Sequence, residues 1–241
     1  KGEGVKNNLN LDIMKKIRMG MIGGGIGAFI GDAHRRASRI CNDFELVGGV
    51  FDVNYDKSKE FAIKEGIELS RCYESVDALI GAELEMPADR RMEVVAIVTP
   101  NALHYPFAKS LLENGFHLVC EKPMTMTVEE ALILEKLVAE KKLTFALTHT
   151  YTGYPMVRQM RDLISKGVLG TIQRIDAQYY QGWINSIIHG TESRITGVWR
   201  LDPKHAGVSS CMGDIGVHAF NLIEYTTGLE IKEILADLSP V

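Results

Sequence analysis

Along the first part of the chain, short apolar runs alternate with stretches whose apolar residues recur at helical spacing. IRMGMIG (17–23), ELVGGVF (45–51), VVAIVT (94–99) and FHLVC (116–120) read as buried strands, and LTFALTH (143–149) as another. Between them, helical patterns cover residues 27–40, 56–65, the segment LHYPFAKSLLENG and residues 128–142. A short strand is expected near Arg71 to Tyr73, and the charged, patternless AELEMPADRRM (82–92) reads as a surface insertion. Parallel strands need crossovers, so strand and helix in alternation predict an α/β fold with a doubly wound parallel sheet.

The pattern changes afterwards. YPMVRQMRDLISKG (154–167) is an amphipathic helix closed by Gly167, TIQRIDAQYYQ (171–181) alternates as a half-buried strand should, and IKEILADL (231–238) reads as a second strand. A long loop is expected from Gly182 to Ser210. This divides the chain into a disordered or foreign lead-in (1–15), a dinucleotide-binding domain (16–149) and the start of a second, incomplete α+β domain (150–241).

Composition narrows the partners. With 46% hydrophobic residues the chain can bury a sizeable core, and its net charge of −4 includes no basic block of the kind that binds nucleic acid. Cys41, Cys72, Cys120 and Cys211 lack CxxC spacing, so reduced, buried thiols are expected and neither zinc nor a disulfide framework is. There is no apolar run of membrane-spanning length and no signal-peptide core, which predicts a cytoplasmic protein with no membrane partner.

Four stretches carry chemistry. GGGIGA (23–28) follows the first strand and matches GxGxxA through Gly23, Gly25 and Ala28. Such glycines let the backbone approach a pyrophosphate at a helix N-terminus, and the small alanine lets helix and strand pack closely. Asp52, closing the second strand, is placed to bond ribose hydroxyls; its carboxylate would repel a 2′-phosphate, so NAD is favoured over NADP. The alternative is an empty turn with Asp52 as a cap. TPNALH (99–104) and CEKPM (120–124) leave the carboxyl ends of later strands, where open parallel sheets bind ligands, and Lys122 there should adjoin the nicotinamide. A solvated lysine in a strand-ending turn is the other reading. In GDIGVH (213–218), Asp214 and His218 are one helical turn apart, so the acid could orient the ring as a general base. They could also be a cap and a core histidine.

Taken together, GGGIGA, TPNALH, EKP, WRLDPKHAG and GDIGVH resemble the Gfo/Idh/MocA family, the glucose-fructose oxidoreductase and inositol dehydrogenase group, from about residue 16 onward. Among its members the later run looks most like the inositol 2-dehydrogenase-like and levoglucosan dehydrogenase-like ones. The resemblance implies a Rossmann domain followed by a domain with an open, mostly antiparallel sheet that often mediates oligomerisation, so a homo-oligomer is expected. It also implies Lys122, Asp214 and His218 as the catalytic trio, and a cofactor set of Gly23, Gly25, Ile26, Asp52, Thr99, Pro100, Asn101, His104, Glu121 and Lys122. Trp199 and Arg200 match the family's WR motif as substrate contacts, with Tyr151 as a further cleft residue; Trp183, His189 and Tyr154 carry less weight. The expected reaction is hydride transfer between NAD and a secondary alcohol of a cyclic polyol or sugar. An NAD-dependent glycosidase and a non-catalytic nucleotide sensor are the alternatives. Members are usually longer, so part of the second domain is expected to be missing.

Overall fold

The computed structural model describes residues 15–190 and 198–237. Residues 1–14 of the expected lead-in, 191–197 of the expected loop and Leu238 of the expected last strand lie outside the described residues. Strands β1 (Ile17–Gly23), β2 (Phe44–Val50), β3 (Val94–Val98), β4 (His117–Cys120) and β5 (Phe145–Leu147) form a sheet of order β2-β1-β3-β4-β5. The registered pairs β1/β2, β1/β3 and β4/β5 are all parallel. Every residue of β3 is buried, as a continuous apolar run in a parallel sheet requires.

The helices are α1 (Phe29–Cys41), α2 (Tyr55–Glu65), α3 (Val76–Glu85), α4 (His104–Glu113), α5 (Val128–Lys141), α6 (Pro155–Ser165), α7 (Trp183–Ile188), α8 (Pro203–Ala206) and α9 (Val217–Thr227). Their ends follow local chemistry. Asn54, Ser75 and Thr127 accept backbone N–H bonds in the first turns of α2, α3 and α5. Pro155 opens α6, and Gly66 and Gly228 close α2 and α9 in the left-handed conformation. Two compact units divide after Val98, the first holding β1 to β3 and the second everything from Thr99 onward.

Several expectations change. The strand near Arg71 is a 3-10 turn, Leu69–Arg71, followed by one bridge between Gly49 and Cys72. The surface insertion is no insertion at its start, because α3 runs to Glu85 and the Glu83 side chain is 0% exposed. Glu83 takes a forked pair from Arg71 (2.7 and 2.8 Å), the Tyr73 hydroxyl (2.6 Å) and the Met92 N–H (2.8 Å). A charge can be buried when its lone pairs are all claimed, and composition does not reveal that. Burial and this carboxylate push the Tyr73 phenol up.

In the second unit, residues 172–180 and 231–237 have no strand assignment, and no second sheet forms among the described residues. Alternation makes a segment suited to pairing, but a strand exists only against a partner. The long loop contains α7, α8 and a 3-10 turn, Val198–Leu201. Two of the thiols expected to be buried, Cys41 and Cys211, are exposed. No helix among the described residues is long and apolar enough to cross a membrane.

Candidate active site

In the first unit, β1 runs into the Gly-rich turn and α1. Gly23, Gly24 and Gly27 have φ of 81°, 75° and 79°, which side chains disfavour. Gly25 serves a different purpose: its N–H donates to the Phe51 carbonyl at 3.0 Å, and a Cβ there would lie 2.6 Å from that oxygen. Close packing of helix on turn requires Gly31, whose Cβ would meet Gly24 Cα at 2.3 Å. Arg35, buried beneath, donates to the Gly24 carbonyl at 2.6 Å and stacks on Phe61, fixing the turn from below. Ile26 is half exposed on top. Asp52 Oδ1 caps its own turn, accepting from Asn54 N–H at 2.8 Å; its second oxygen has no hydrogen-bond partner among the described residues. Thus the capping role weighed for Asp52 is real and leaves one oxygen for a ligand.

The second unit begins at the end of β3 with Thr99, Pro100 and Asn101. His104, expected to face the cofactor, is fully buried with Nδ1 2.7 Å from the Pro123 carbonyl and Nε2 2.9 Å from the Thr99 carbonyl. Neither nitrogen is left for a ligand, so His104 ties the TPN and EKP segments together. Both contacts bond only in the imidazolium, yet burial outweighs the carbonyls and Glu121 and holds the ring below its ordinary pKa. Asn101 Nδ2 donates to the Ala206 carbonyl at 2.9 Å. Glu121 is buried beside the cis Lys122–Pro123 bond.

Lys122 and Asp214 meet. Lys122 Nζ lies 2.8 Å from Asp214 Oδ1 and also donates to the Asp214 backbone carbonyl. The carboxylate further accepts from Arg200 Nε (3.3 Å) and Gln181 Nε2 (3.4 Å). Burial alone would push Asp214 up; the ammonium bond and charge, with Arg200, hold it below the usual carboxylate range. No bond joins Asp214 to His218. The stretch Met212–Gly216 is a π-helical turn, so the α-helical register behind the expected pairing is absent.

His218 sits at the start of α9, buried, with the Tyr151 ring 4.7 Å away at 65° and the His149 ring 5.9 Å away at 85°. Burial, then Lys122 and His149, push its pKa down to about 4 against weaker pulls from Glu121 and Asp214. A neutral imidazole beside a carboxylate-bound ammonium is the result, and the neutral ring is the form that can accept a proton. Tyr151 bonds Tyr179 through their hydroxyls at 2.6 Å, and its pKa is pushed up to about 12 by burial and that bond.

Asp214 and Arg200 line a cavity with Asn101, Gln181, Trp183 and Cys211. Trp199 is absent from that wall and stacks on the Arg200 guanidinium, 4.5 Å from ring to cation. Trp183 takes its place, and Gln181 and His149 join the site unannounced. Only their position four residues or fewer from recognised aromatic and loop positions could have flagged them in the sequence. Among the described residues no group of three or more His, Cys, Asp or Glu could hold a metal ion.

A nicotinamide dinucleotide fits these residues. The first turn of α1 has no side-chain cap, leaving N–H donors for a pyrophosphate. Within the first unit, the α1 N–H donors and the second Asp52 oxygen are polar groups left for a ligand. In the second unit, Thr99 Oγ1 is buried with no hydrogen-bond partner among the described residues.

Residues 17–149 match the GFO/IDH/MocA oxidoreductase family, described by its NAD-binding Rossmann fold, and residues 157–241 match the GFO/IDH/MocA C-terminal domain. The uncharacterized oxidoreductase YfiI of Bacillus subtilis is 34% identical over 93% of this chain and 57% of its own length. An inositol dehydrogenase homolog of Azotobacter vinelandii complexed with NAD+ superposes with a TM-score of 0.84 at 34% identity, over 90% of this chain and 55% of that one. A structure of such a homolog with NADH and myo-inositol gives a TM-score of 0.80 at 32% identity, over 89% and 53%. The chain spans about half the length of these relatives. It belongs to the Gfo/Idh/MocA oxidoreductase family.

Proposed function

We propose that this chain carries the cofactor-binding and proton-transfer groups of an NAD-dependent dehydrogenase that oxidises a secondary alcohol of a cyclic polyol or sugar. The observation that carries the reading is the grouping of a neutral imidazole, His218, with a lysine held by a carboxylate, Lys122 to Asp214. NAD, when bound, supplies the hydride acceptor. Oxidation also requires the hydroxyl proton to leave, and His218 is the base that takes it. Lys122 donates to the developing alkoxide, stabilising charge where it forms. Asp214 keeps the ammonium charged and positioned. The Gly-rich turn and Asp52 take the pyrophosphate and adenosine ribose, and the carboxylate favours NAD over NADP. Arg200 and Trp183, on the cavity wall, suit a polyhydroxylated ring: indole against an apolar face, guanidinium to hydroxyls.

The relative bound to NADH and myo-inositol supports the substrate class. The test is absorbance at 340 nm with NAD, then NADP, against myo-inositol, levoglucosan, glucose and related cyclic polyols. Net NADH accumulation with at least one of them is expected, with NAD preferred. Absence of any cofactor reduction across the panel, by a protein that binds NAD, would overturn the reading.

A further inference from the structure

After β5 ends at Leu147, the chain bends at His149 (φ −98°, ψ 74°) into the 3-10 turn Thr150–Gly153. The bend is pinned on all sides. His149 N–H donates to the Leu147 carbonyl at 3.0 Å, and the His149 carbonyl accepts from Thr152 N–H (3.2 Å) and hydroxyl (2.8 Å). The adjoining Thr148 hydroxyl donates to the Cys120 carbonyl, two residues before Lys122, at 2.7 Å. So fixed, the His149 ring stands at 85° to that of His218.

Its two nitrogens are not equivalent. Nδ1 is sealed from solvent and has no hydrogen-bond partner among the described residues. An imidazole proton goes where an acceptor can reach it, and a sealed donor with none forfeits its hydration. The neutral ring therefore carries its proton on Nε2. Neutrality follows from the surroundings: burial, then the Lys122 charge, hold the ring below its ordinary pKa against the opposing pull of Glu121. The site thus contains two neutral imidazoles, and an Nε2–H donor with no acceptor among the described residues is the group left over.

We propose that His149 is a substrate-binding residue, whose Nε2–H donates to a hydroxyl oxygen of the polyol or sugar while His218 accepts the proton of the reacting hydroxyl. The proposal rests on the dehydrogenase reading above. It gives the two histidines opposite tasks, one as fixed donor and one as acceptor, and it makes His149 a determinant of which hydroxyl pattern is accepted. A polar group built to bond a hydroxyl also rejects analogues that lack it, because it is then left unpaired.

Three variants separate the roles of the ring. His149→Gln keeps an amide donor near the Nε2 position, His149→Asn places one near Nδ1, and His149→Phe keeps a flat ring against His218 without either nitrogen. The probe is whichever of myo-inositol, levoglucosan or glucose the unaltered chain oxidises fastest with NAD. The Phe and Asn variants are expected to lose about 10- to 100-fold in kcat/KM, mostly through KM, and the Gln variant to recover most of it. NADH affinity, read by fluorescence titration, should stay within about threefold in all of them. Nitrogen-15 NMR of histidine-labelled protein without substrate should show His149 neutral and protonated on Nε2 at about pH 7 to 8. A ring protonated on Nδ1, or a Phe variant with unchanged kcat/KM on an active parent, overturns the proposal alone. A parent that binds NADH and oxidises none of the panel overturns the dehydrogenase reading and this proposal with it.

Discussion

Asp214 holds the ammonium of Lys122, 2.8 Å from Oδ1, and makes no bond to His218, the histidine four residues along its own segment. In the proposed reaction the carboxylate therefore acts through the lysine. Charge attraction explains the choice: at this burial an ammonium is the stronger partner, and Arg200 and Gln181 occupy the remaining lone pairs.

Asp214→Asn should therefore impair the lysine and spare the base. A fall in kcat of about 10- to 1,000-fold is expected, with the acid limb of the kcat/KM profile moved by less than about half a pH unit. A limb displaced by a full unit or more would return Asp214 to the role of orienting His218. The measurement is a pH–rate profile of parent and variant side by side.

Lys122→Ala should lower turnover by roughly two to four orders of magnitude while NAD affinity changes little, since the loss is of alkoxide stabilisation. Stopped-flow reduction of NAD with saturating polyol, set beside fluorescence titration of NADH, reads both quantities. Turnover equal to the parent's would remove the lysine from the mechanism.

As the proposed base, His218 should set the pH dependence. With its pKa near 4 instead of the ordinary 6.5, the base stays neutral down to weakly acidic pH, and the acid limb of kcat/KM should lie near pH 4. Folding stability is linked with a definite sign. Between about 6.5 and 4 the unfolded chain binds a proton at this histidine that the folded chain does not, so this contribution is complete above 6.5 and is lost as pH falls toward 4. His218→Gln should flatten both trends, the second visible in urea unfolding across that window.

Asp52→Asn keeps an oxygen for the Asn54 N–H but removes the charge from the free side. Affinity for NAD is expected to fall about 10-fold and discrimination against NADP to shrink, because hydrogen bonds to charged groups are worth about 1.5–3 kcal/mol and the repulsion of a 2′-phosphate disappears. Calorimetric titration with both cofactors gives the comparison.

Glu83→Gln tests the buried cluster of the first unit. Removing one partner of a buried ion pair strands the other, here Arg71, at a cost of about 3–5 kcal/mol. The urea midpoint should drop accordingly; a change under about 1 kcal/mol would mean that Arg71 finds another partner.

Much of this protein is local in origin. The apolar runs of β1 to β5, the helical spacing between them and the positive-φ glycines at 23, 24 and 27 are set by residues near in sequence, because strand and helix periodicity and turn sterics act over a few positions. For the same reason GGGIGA, EKP and the Asp214–His218 spacing were sufficient to indicate the family. Partnership was not local. Lys122 reaches Asp214 across 92 positions, Glu83 is buried because Arg71, Tyr73 and Met92 converge on it, and His104 turns inward although its motif suggested a ligand-facing role. Likewise the alternating segment at 172–180 does not become a strand without a neighbour to pair with. Residue type and spacing determined which groups were available; the three-dimensional packing decided which of them are desolvated together, and desolvation is what makes a carboxylate choose an ammonium and keeps an imidazole neutral.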